Sequence, residues 1–153
     1  MQIIDFIHLN TKKIVDFGSG SGFPSIVLAI LMKNQSKDLK VEMYEKSFKK
    51  CRFLKKVSKE LNLNTEVIQK NIFKEKDLGE IVITSRAFKP LPIILDIVEE
   101  NYKNYKNIIL FMGKSGKEIL KETLNRWKIN YEIKDSITSD GSFILNIKNA
   151  QRI

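Results

Sequence analysis

Cysteine, histidine and long apolar runs are almost absent from this sequence of 153 residues. The only cysteine, Cys51, cannot form an internal disulfide, which is typical of proteins in reducing compartments. The longest apolar run covers residues 26–32, far fewer than the roughly 20 residues of a membrane-spanning helix. The first residues also lack the apolar middle and small-residue cleavage site of a secretory signal. We therefore expect a cytoplasmic protein without a membrane partner.

Negative charge is also scarce. Asp and Glu number 18 against 27 Lys and Arg, so the formal net charge is +9. A balance this basic favours a polyanionic partner, nucleic acid before membrane, because binding to phosphates releases their counterions. A lysine-rich proteome would give the same composition, so the charge supports a nucleic-acid partner without identifying one.

Few side chains are suited to act as a general base, a nucleophile or a metal ligand. The only histidine, His8, precedes the first predicted strand, so we expect it to be exposed or structural. Cys51 lies on an apolar stripe of a predicted helix, which predicts a place in the core rather than in a catalytic site. The members of that stripe are Phe48, Cys51, Leu54, Val57 and Leu61. We expect no metal site.

The apolar pattern predicts one α/β domain over residues 1–153. Seven apolar or β-branched runs predict strands at residues 13–17, 40–44, 65–68, 81–84, 107–111, 131–137 and 142–147. Helical patterns cover residues 23–32, 47–61, 91–102 and 117–127, with a weaker piece at 72–78. Alternation of strands and helices indicates a mostly parallel sheet with helices on both faces. The last two strands, joined across TSDGS, predict an antiparallel hairpin at one edge.

A glycine-rich loop, DFGSGSGFP at residues 16–24, follows the first predicted strand. In an open α/β sheet the loop after the first strand is the usual cradle for a ligand. Gly18 and Gly20 allow a sharp turn and close approach, and Gly22 allows the helix to pack on the strand. The spacing does not fit the G-x-G-x-x-G pattern of dinucleotide sites. The G-x-G-x-G after Asp16 instead resembles motif I of S-adenosylmethionine methyltransferases.

An acidic residue stands where such a cofactor needs one. Glu45 closes the second predicted strand, about 20 residues beyond the loop, where a carboxylate can hold both ribose hydroxyls. A glycine-rich turn and a solvated glutamate would be the structural alternative. Because strand, loop, helix, strand and acid occur in this order, we expect an S-adenosylmethionine site.

The remaining motifs narrow the choice of methyl acceptor. Methylation of an exocyclic amine usually comes with an Asn or Asp, two prolines and an aromatic after strand four, but SRAF stands at residues 85–88. Methylation at pyrimidine C5 needs a cysteine nucleophile, which Cys51 is not expected to be. Guanine N7 carries a lone pair and no proton, so its methylation needs alignment without a base. The lack of an obvious base therefore permits N7 chemistry.

Basic side chains gather near the predicted site. Arg86 directly follows strand four and is expected to orient cofactor or acceptor, although it could instead anchor the loop. The second helix carries a basic stripe that is either a nucleic-acid surface or a solvated face. Lys114 and Lys117 add positive charge after strand five.

Four segments together resemble the RsmG (GidB) family of 16S ribosomal RNA guanine N7-methyltransferases. They are IVDFGSGSGFPSIVLAI, the helix KKCRFLKKVSKELNL, TSRAF and FMGKSGKEI. Family members show a similar D-x-G-[ST]-G-x-G-x-P loop, a K-[KR]-x-x-F-L helix, and S-R-A or V-R-A after strand four. The resemblance extends from about residue 14 to the end of the sequence.

The resemblance implies a Rossmann-like class I fold, S-adenosylmethionine as cofactor, and a guanine in the 530 loop of small-subunit rRNA as acceptor. With the loop and Glu45, it predicts a cofactor site formed by Asp16, Gly18, Gly20, Gly22, Phe23, Glu45, Ile72, Phe73 and Arg86. Ile72 and Phe73 are expected to flank the adenine through backbone groups. The RNA-binding residues are expected to be Lys49, Lys50, Arg52, Lys56, Lys114 and Lys117. We expect a monomer that acts on 16S rRNA or the small subunit.

The sequence departs from the family pattern in three places. Only about thirteen residues precede the first strand, where members usually carry a longer helical segment, so we expect a fragment or a degenerate copy. Phe73 stands where an acid is common, and Ser25 follows the Phe-Pro pair where glycine is common. Two alternatives therefore remain: a methyltransferase for another RNA, protein or small molecule, and a noncatalytic RNA-binding remnant.

Overall fold

Strands and helices alternate along most of the chain, and two strands end it. The computed structural model describes residues 2–36 and 38–153. Its strands are β1 Lys13–Phe17, β2 Lys40–Tyr44, β3 Thr65–Ile68, β4 Ile81–Arg86, β5 Tyr105–Met112, β6 Trp127–Asp135 and β7 Phe143–Arg152. Its α-helices are α1 Ser25–Met32, α2 Phe48–Glu60, α3 Leu91–Asn101 and α4 Gly116–Thr123, and 3₁₀ turns lie at Gln2–Phe6 and Ile72–Lys74. No helix among the described residues is long and apolar enough to cross a bilayer.

All seven strands form one sheet in the order β3-β2-β1-β4-β5-β7-β6. The first five strands in the chain are parallel, and β7 runs antiparallel between β5 and β6. The chain leaves β1 toward β2 on one side and returns to β4 on the other side. The crevice at the carboxyl ends of β1 and β4 is therefore the expected ligand site.

The core lies on both faces of the sheet because side chains alternate along each strand. In β1, Val15 and Phe17 pack in the cluster that α3 covers, while Ile14 packs in the cluster with α1 and with Leu54 of α2. All four of these side chains are fully buried. Burial on both faces explains the continuous apolar runs at residues 81–83 of β4 and 108–110 of β5.

The predicted helix at 117–127 is too long by one turn. The structure ends α4 at Thr123, and Trp127 is the first residue of β6, paired with Arg152 of β7. The Trp127 side chain is 3% exposed, and the Arg152 guanidinium carbon lies 5.0 Å from its ring centroid. Burial of the indole against the sheet outweighs the helical pattern that precedes it.

The apolar stripe of α2 is only partly a core face. Cys51 and Leu54 are buried as predicted, but Phe48 is 64% exposed and Leu61 is 44% exposed. These two residues flank the middle of the helix, which is the part that packs on the sheet, so their place in the predicted stripe does not bury them. The predicted place of Cys51 in the core is therefore confirmed, while the two ends of the stripe lie at the surface.

Candidate functional site

The glycine-rich loop folds back over the end of β2. The amide groups of Gly18 and Ser19 both donate to the carbonyl oxygen of Tyr44, at 3.0 and 3.1 Å. The Gly22 amide donates to the Ser19 carbonyl at 2.8 Å and closes the turn before α1. Gly18, Gly20 and Gly22 all have positive φ, a backbone region that other residues rarely adopt.

The three glycines have different surroundings. A Cβ atom on Gly18 would lie 2.3 Å from the Phe88 ring, and one on Gly22 would lie 2.5 Å from Ile26 Cγ1. At Gly20 the nearest atom to such a Cβ would be 3.8 Å away. Gly18 and Gly22 are thus required for packing, whereas Gly20 leaves open space beside the backbone.

The Glu45 carboxylate lies against this open loop. Its Oε2 accepts from the Gly20 amide at 2.9 Å, and its Oε1 accepts from the Ser47 amide, also at 2.9 Å. A carboxylate has about four acceptor positions, so each oxygen can still accept a further hydrogen bond. The carboxylate is held in place by backbone groups while keeping acceptors available to a ligand.

A cavity of about 480 Å³ opens between the loop, the end of β2 and the end of β4. It is lined by Gly18, Ser19, Gly20, Ser21, Phe23, Tyr44, Glu45, Lys46, Lys50, Lys70, Ile72, Arg86, Ala87 and Phe88. Below, we call it the first cavity. The Tyr102 hydroxyl supports one wall, because it donates to the Ile72 carbonyl at 2.7 Å. The size and mixed lining of the first cavity suit a small polar ligand.

Two of the predicted cofactor residues lie behind this cavity rather than on its wall. Asp16 is 1% exposed, beneath the loop, and its Oδ1 accepts from the Thr84 hydroxyl at 2.7 Å. Burial raises the pKa of this carboxyl, and hydrogen bonds to it act in the opposite direction. Gly22 is buried against α1 and α2. The structure thus places both residues where they shape the loop.

Phe73 lies next to the first cavity but does not line it. Its amide donates to Asn71 Oδ1 at 3.2 Å, and its ring centroid lies 5.9 Å from that of Phe88. The ammonium groups of Lys46 and Lys89 lie 5.9 and 6.0 Å from the Phe73 ring centroid. The ring therefore forms part of the outer rim.

Arg86 separates the first cavity from a larger one. Its guanidinium carbon lies 4.7 Å from the centroid of the Phe23 ring, which in turn meets Phe111 at 5.4 Å. The second cavity, of about 930 Å³, lies between the ends of α1 and β5 and the loop that joins β6 to β7. Phe23, Arg86 and Ala87 line both cavities. The two spaces meet at these three residues.

The predicted RNA-binding residues lie on α2 and just beyond the end of β5. Lys50 lines the first cavity, whereas Lys49, Arg52 and Lys56 line a separate depression on α2. Lys114 and Lys117 are exposed just beyond the end of β5. Because β2 and β5 are parallel strands of the same sheet, the start of α2 and Lys114 follow the same edge, and the binding of RNA by these residues stays a prediction.

Cys51 and His8 stand apart from the cavities. The Cys51 thiol is buried and donates to the carbonyl oxygen of Glu45 at 3.3 Å. Burial raises the pKa of this thiol, which disfavours the thiolate that a nucleophile would need. His8 is exposed and lines neither cavity.

Sequence reasoning missed several residues of the first cavity. They are Ser19, Ser21, Tyr44, Lys46, Lys70, Ala87 and Phe88. Phe88 was the most accessible of these to prediction, because it ends the TSRAF segment in which Arg86 was selected. Within residues 2–36 and 38–153, no three His, Cys, Asp or Glu side chains are grouped in a way that could hold a metal ion.

Known proteins resemble this chain in both sequence and fold. The GidB family model, described as rRNA small subunit methyltransferase G, matches residues 1–146. Ribosomal RNA small subunit methyltransferase G of Pelagibacter ubique is 54% identical over 151 residues, which are 99% of this chain and 71% of that protein. The protein of the same name from Rickettsia felis is 33% identical over 153 residues, covering 100% of this chain and 76% of that protein.

Solved structures of methyltransferases share the fold. TrmK of M. capricolum, in complex with S-adenosyl-homocysteine, has a TM-score of 0.62 and 19% identity and covers 97% of this chain and 66% of its own. The Pyrococcus abyssi tRNA (uracil-54, C5)-methyltransferase has a TM-score of 0.65 and 12% identity over 98% of this chain and 36% of its own. The predicted Rossmann-like methyltransferase fold is therefore confirmed.

Proposed function

Because this chain belongs to the GidB family, rRNA small subunit methyltransferase G, we propose that it methylates guanine N7 in 16S rRNA with S-adenosylmethionine as cofactor. The observation that carries the proposal is the pair of cavities that meet at Phe23, Arg86 and Ala87. A methyl transferase must bring a donor and an acceptor together from separate sites, and this junction provides the meeting point.

The residues around the first cavity fit the cofactor. Gly20 leaves the space that a ligand needs to approach the loop backbone. Glu45 presents oxygens that can accept from ribose hydroxyls, and the buried Ile72 with the Phe88 ring offers apolar walls for an adenine. Lys46, Lys50 and Lys70 supply positive charge that suits a carboxylate.

The chemistry of guanine N7 matches the groups present. When bound, S-adenosylmethionine supplies an electrophilic methyl group, which the N7 lone pair can accept without loss of a proton from the base. Glu45 is the one carboxylate among the described residues that line the two cavities, and both of its oxygens accept from backbone amides. The chain therefore has to bind the cofactor and the guanine, align the methyl group with N7, and exclude water from the site.

Arg86 is placed to orient both partners. It ends β4, where its backbone is paired with Phe111 of β5, and its guanidinium covers the Phe23 ring. A cation stacked on an aromatic ring keeps its edge free to donate hydrogen bonds. We assign Arg86 to alignment of the acceptor at the junction. In keeping with an rRNA substrate, we place the protein in the cytoplasm, as a monomer.

Calorimetry with S-adenosylhomocysteine tests the cofactor site. Wild type should bind, and Glu45→Gln should bind about tenfold more weakly because a charge-assisted hydrogen bond is lost. Glu60→Gln, on the exposed end of α2, is the control and should bind like wild type. Absence of heat at millimolar ligand would overturn the proposal.

Mass mapping of RNA from a strain that lacks the gene tests the acceptor. The proposal predicts that one methylated guanine of 16S rRNA disappears and returns with the wild-type gene. Loss of a methyl group from another RNA, a protein or a small molecule instead would point to a different acceptor.

A further inference from the structure

Two aromatic rings on α2 face solvent. All nine phenylalanines lie within the residues that the structure describes, and of these nine only Phe48 and Phe53 are exposed, at 64% and 50%. Neither ring belongs to the hydrophobic clusters on the two faces of the sheet. Their exposure is not required by the fold, since the buried face of α2 is formed by Cys51 and Leu54.

Positive charge surrounds both rings. A depression of about 420 Å³ is lined entirely by residues of α2, namely Phe48, Lys49, Arg52, Phe53, Lys55 and Lys56. We call this set the α2 patch. The Arg52 guanidinium carbon lies 5.9 Å from the Phe48 ring centroid. The patch thus combines two π faces with four cations and contains no acidic residue.

The cations of the α2 patch are largely unneutralised. Lys56 pairs with Glu60 one turn away, at 3.9 Å, and both side chains are well exposed. Among the described residues, no carboxylate lies within 4.0 Å of the charged groups of Lys49, Arg52 or Lys55. An exposed pair such as Lys56 with Glu60 contributes little and is easily exchanged for a phosphate.

We propose that the α2 patch binds unpaired nucleotides of RNA next to the nucleotide that is methylated; this inference rests on the proposed function. Bases stack on aromatic side chains whatever their identity, while lysine and arginine neutralise the phosphates between them. Paired bases in a duplex do not expose the faces needed for stacking. The patch is therefore suited to single-stranded RNA.

The position of the patch connects it to the first cavity. α2 begins three residues after Glu45, and Lys50, in its first turn, lines that cavity. The patch extends from the first turn of α2 along roughly 12 Å of helix, a length that accommodates about two nucleotides. Bases stacked there would hold the strand beside the cofactor cavity while the acceptor base enters the junction at Phe23, Arg86 and Ala87.

An anionic membrane is the other surface that aromatic and basic side chains can bind. Interfacial helices insert a continuous apolar face, whereas the apolar face of α2 is packed on the sheet through Cys51 and Leu54. Two isolated rings between cations offer little area for insertion. RNA is therefore the partner that the patch favours.

Fluorescence anisotropy with a labelled single-stranded RNA of about twelve nucleotides tests the inference. The double variant Phe48→Leu with Phe53→Leu keeps apolar bulk but removes both rings. We expect it to bind the single strand about tenfold more weakly or worse, and a duplex of equal length nearly as wild type does. Ile93→Ala, an exposed apolar residue of α3, is the control and should change neither affinity.

Equal affinity of the double variant and wild type for the single strand would overturn the inference, as would an equal loss for single strand and duplex. Ring-dependent binding to vesicles of anionic lipid, without a ring effect on RNA, would also overturn it. Calorimetry with S-adenosylhomocysteine and the unfolding midpoint should match wild type in the double variant. A protein that binds RNA through the rings but does not bind that ligand would refute the proposed function alone.

Discussion

Gly20 and Gly79 have similar backbone conformations, so substituting each one distinguishes the effect of backbone strain from an effect on ligand binding. Gly20 has φ +55° and Gly79 has φ +76°, and neither has an atom within 3.4 Å of where a Cβ would stand. Alanine at either position should lower the free energy of unfolding by about 1 kcal/mol because of the left-handed backbone. Only Gly20→Ala should also weaken the binding of S-adenosylhomocysteine, by about tenfold or more, since the methyl group of the new alanine enters the first cavity.

Calorimetry and urea unfolding of these two variants give both quantities. Comparable loss of stability with unequal loss of affinity is the expected pattern. If Gly79→Ala weakened ligand binding as much as Gly20→Ala, the loss of affinity would come from destabilisation of the fold rather than from filling of the open space at Gly20.

The buried carboxyl of Asp16 makes stability depend on pH. Burial raises its pKa above the ordinary value of 3.8, so the folded chain holds this proton over a range of pH where the unfolded chain has lost it. This contribution therefore lowers stability as pH rises from about 3.8 to the folded pKa, and is constant above it. Asp16→Asn has no such proton.

Urea unfolding of wild type and Asp16→Asn between pH 4 and 8 measures this contribution. The difference in unfolding free energy should shift in favour of the variant as pH increases. Parallel curves over the whole range would mean that the carboxyl has an ordinary pKa in the folded chain.

At the scale of elements, a tyrosine hydroxyl supports the 3₁₀ turn Ile72–Lys74, together with the side chain of Asn71. From the end of α3, the Tyr102 hydroxyl donates its one hydrogen to the Ile72 carbonyl oxygen at 2.7 Å, and the Glu75 carbonyl oxygen lies 3.2 Å from the same hydroxyl. Tyr102→Phe should lower the free energy of unfolding by about 1–2 kcal/mol because the buried carbonyl of Ile72 loses a donor. The same substitution should also weaken the binding of S-adenosylhomocysteine several-fold, since Ile72 lines the first cavity.

Tyr105→Phe is the matched control for Tyr102→Phe. The Tyr105 oxygen accepts from the Ala150 amide at 3.1 Å, far along the sheet from the first cavity. It should lose stability comparably and bind the ligand like wild type. Unchanged affinity in Tyr102→Phe would show that the turn keeps its shape without the hydroxyl.

The elements differ in how well sequence predicts them. Strands β1, β2 and β3 have the predicted bounds, because short apolar runs between polar segments leave little choice of register. Strand β6 begins at Trp127, four residues before its predicted start, because half of an edge strand is exposed and carries a weak apolar pattern. Its bounds depend on pairing with β7, which local sequence does not encode.

The site is predictable to the extent that one segment encodes it. The loop and Glu45 are close in sequence and follow a recognisable order, and the structure brings them within hydrogen-bonding distance. Phe88 and Tyr44 enter the first cavity only because β1, β2 and β4 are neighbours in the sheet. The roles of the predicted cofactor and RNA residues remain predictions, while the family that the loop indicated is confirmed.

At the scale of the whole molecule, the charge of +9 should govern RNA binding but not cofactor binding. Each phosphate contact on a single strand releases part of a counterion, so affinity falls steeply with salt. Raising the salt concentration from about 50 to 200 mM should weaken the binding of single-stranded RNA about tenfold or more. It should weaken the binding of S-adenosylhomocysteine less than about twofold. Anisotropy and calorimetry over this range measure both, and an RNA affinity that did not respond to salt would contradict an electrostatic contribution.

The most direct test of the central claim is transfer of an isotopically labelled methyl group. Small ribosomal subunits from a strain without this methylation are incubated with the purified chain and S-adenosylmethionine that carries a deuterated methyl group. Mass spectrometry of the digested 16S rRNA should find the label at N7 of one guanine with wild type, and little or none with Gly20→Ala. Unlabelled rRNA, from a preparation that binds S-adenosylhomocysteine, or label on any other atom would contradict the account.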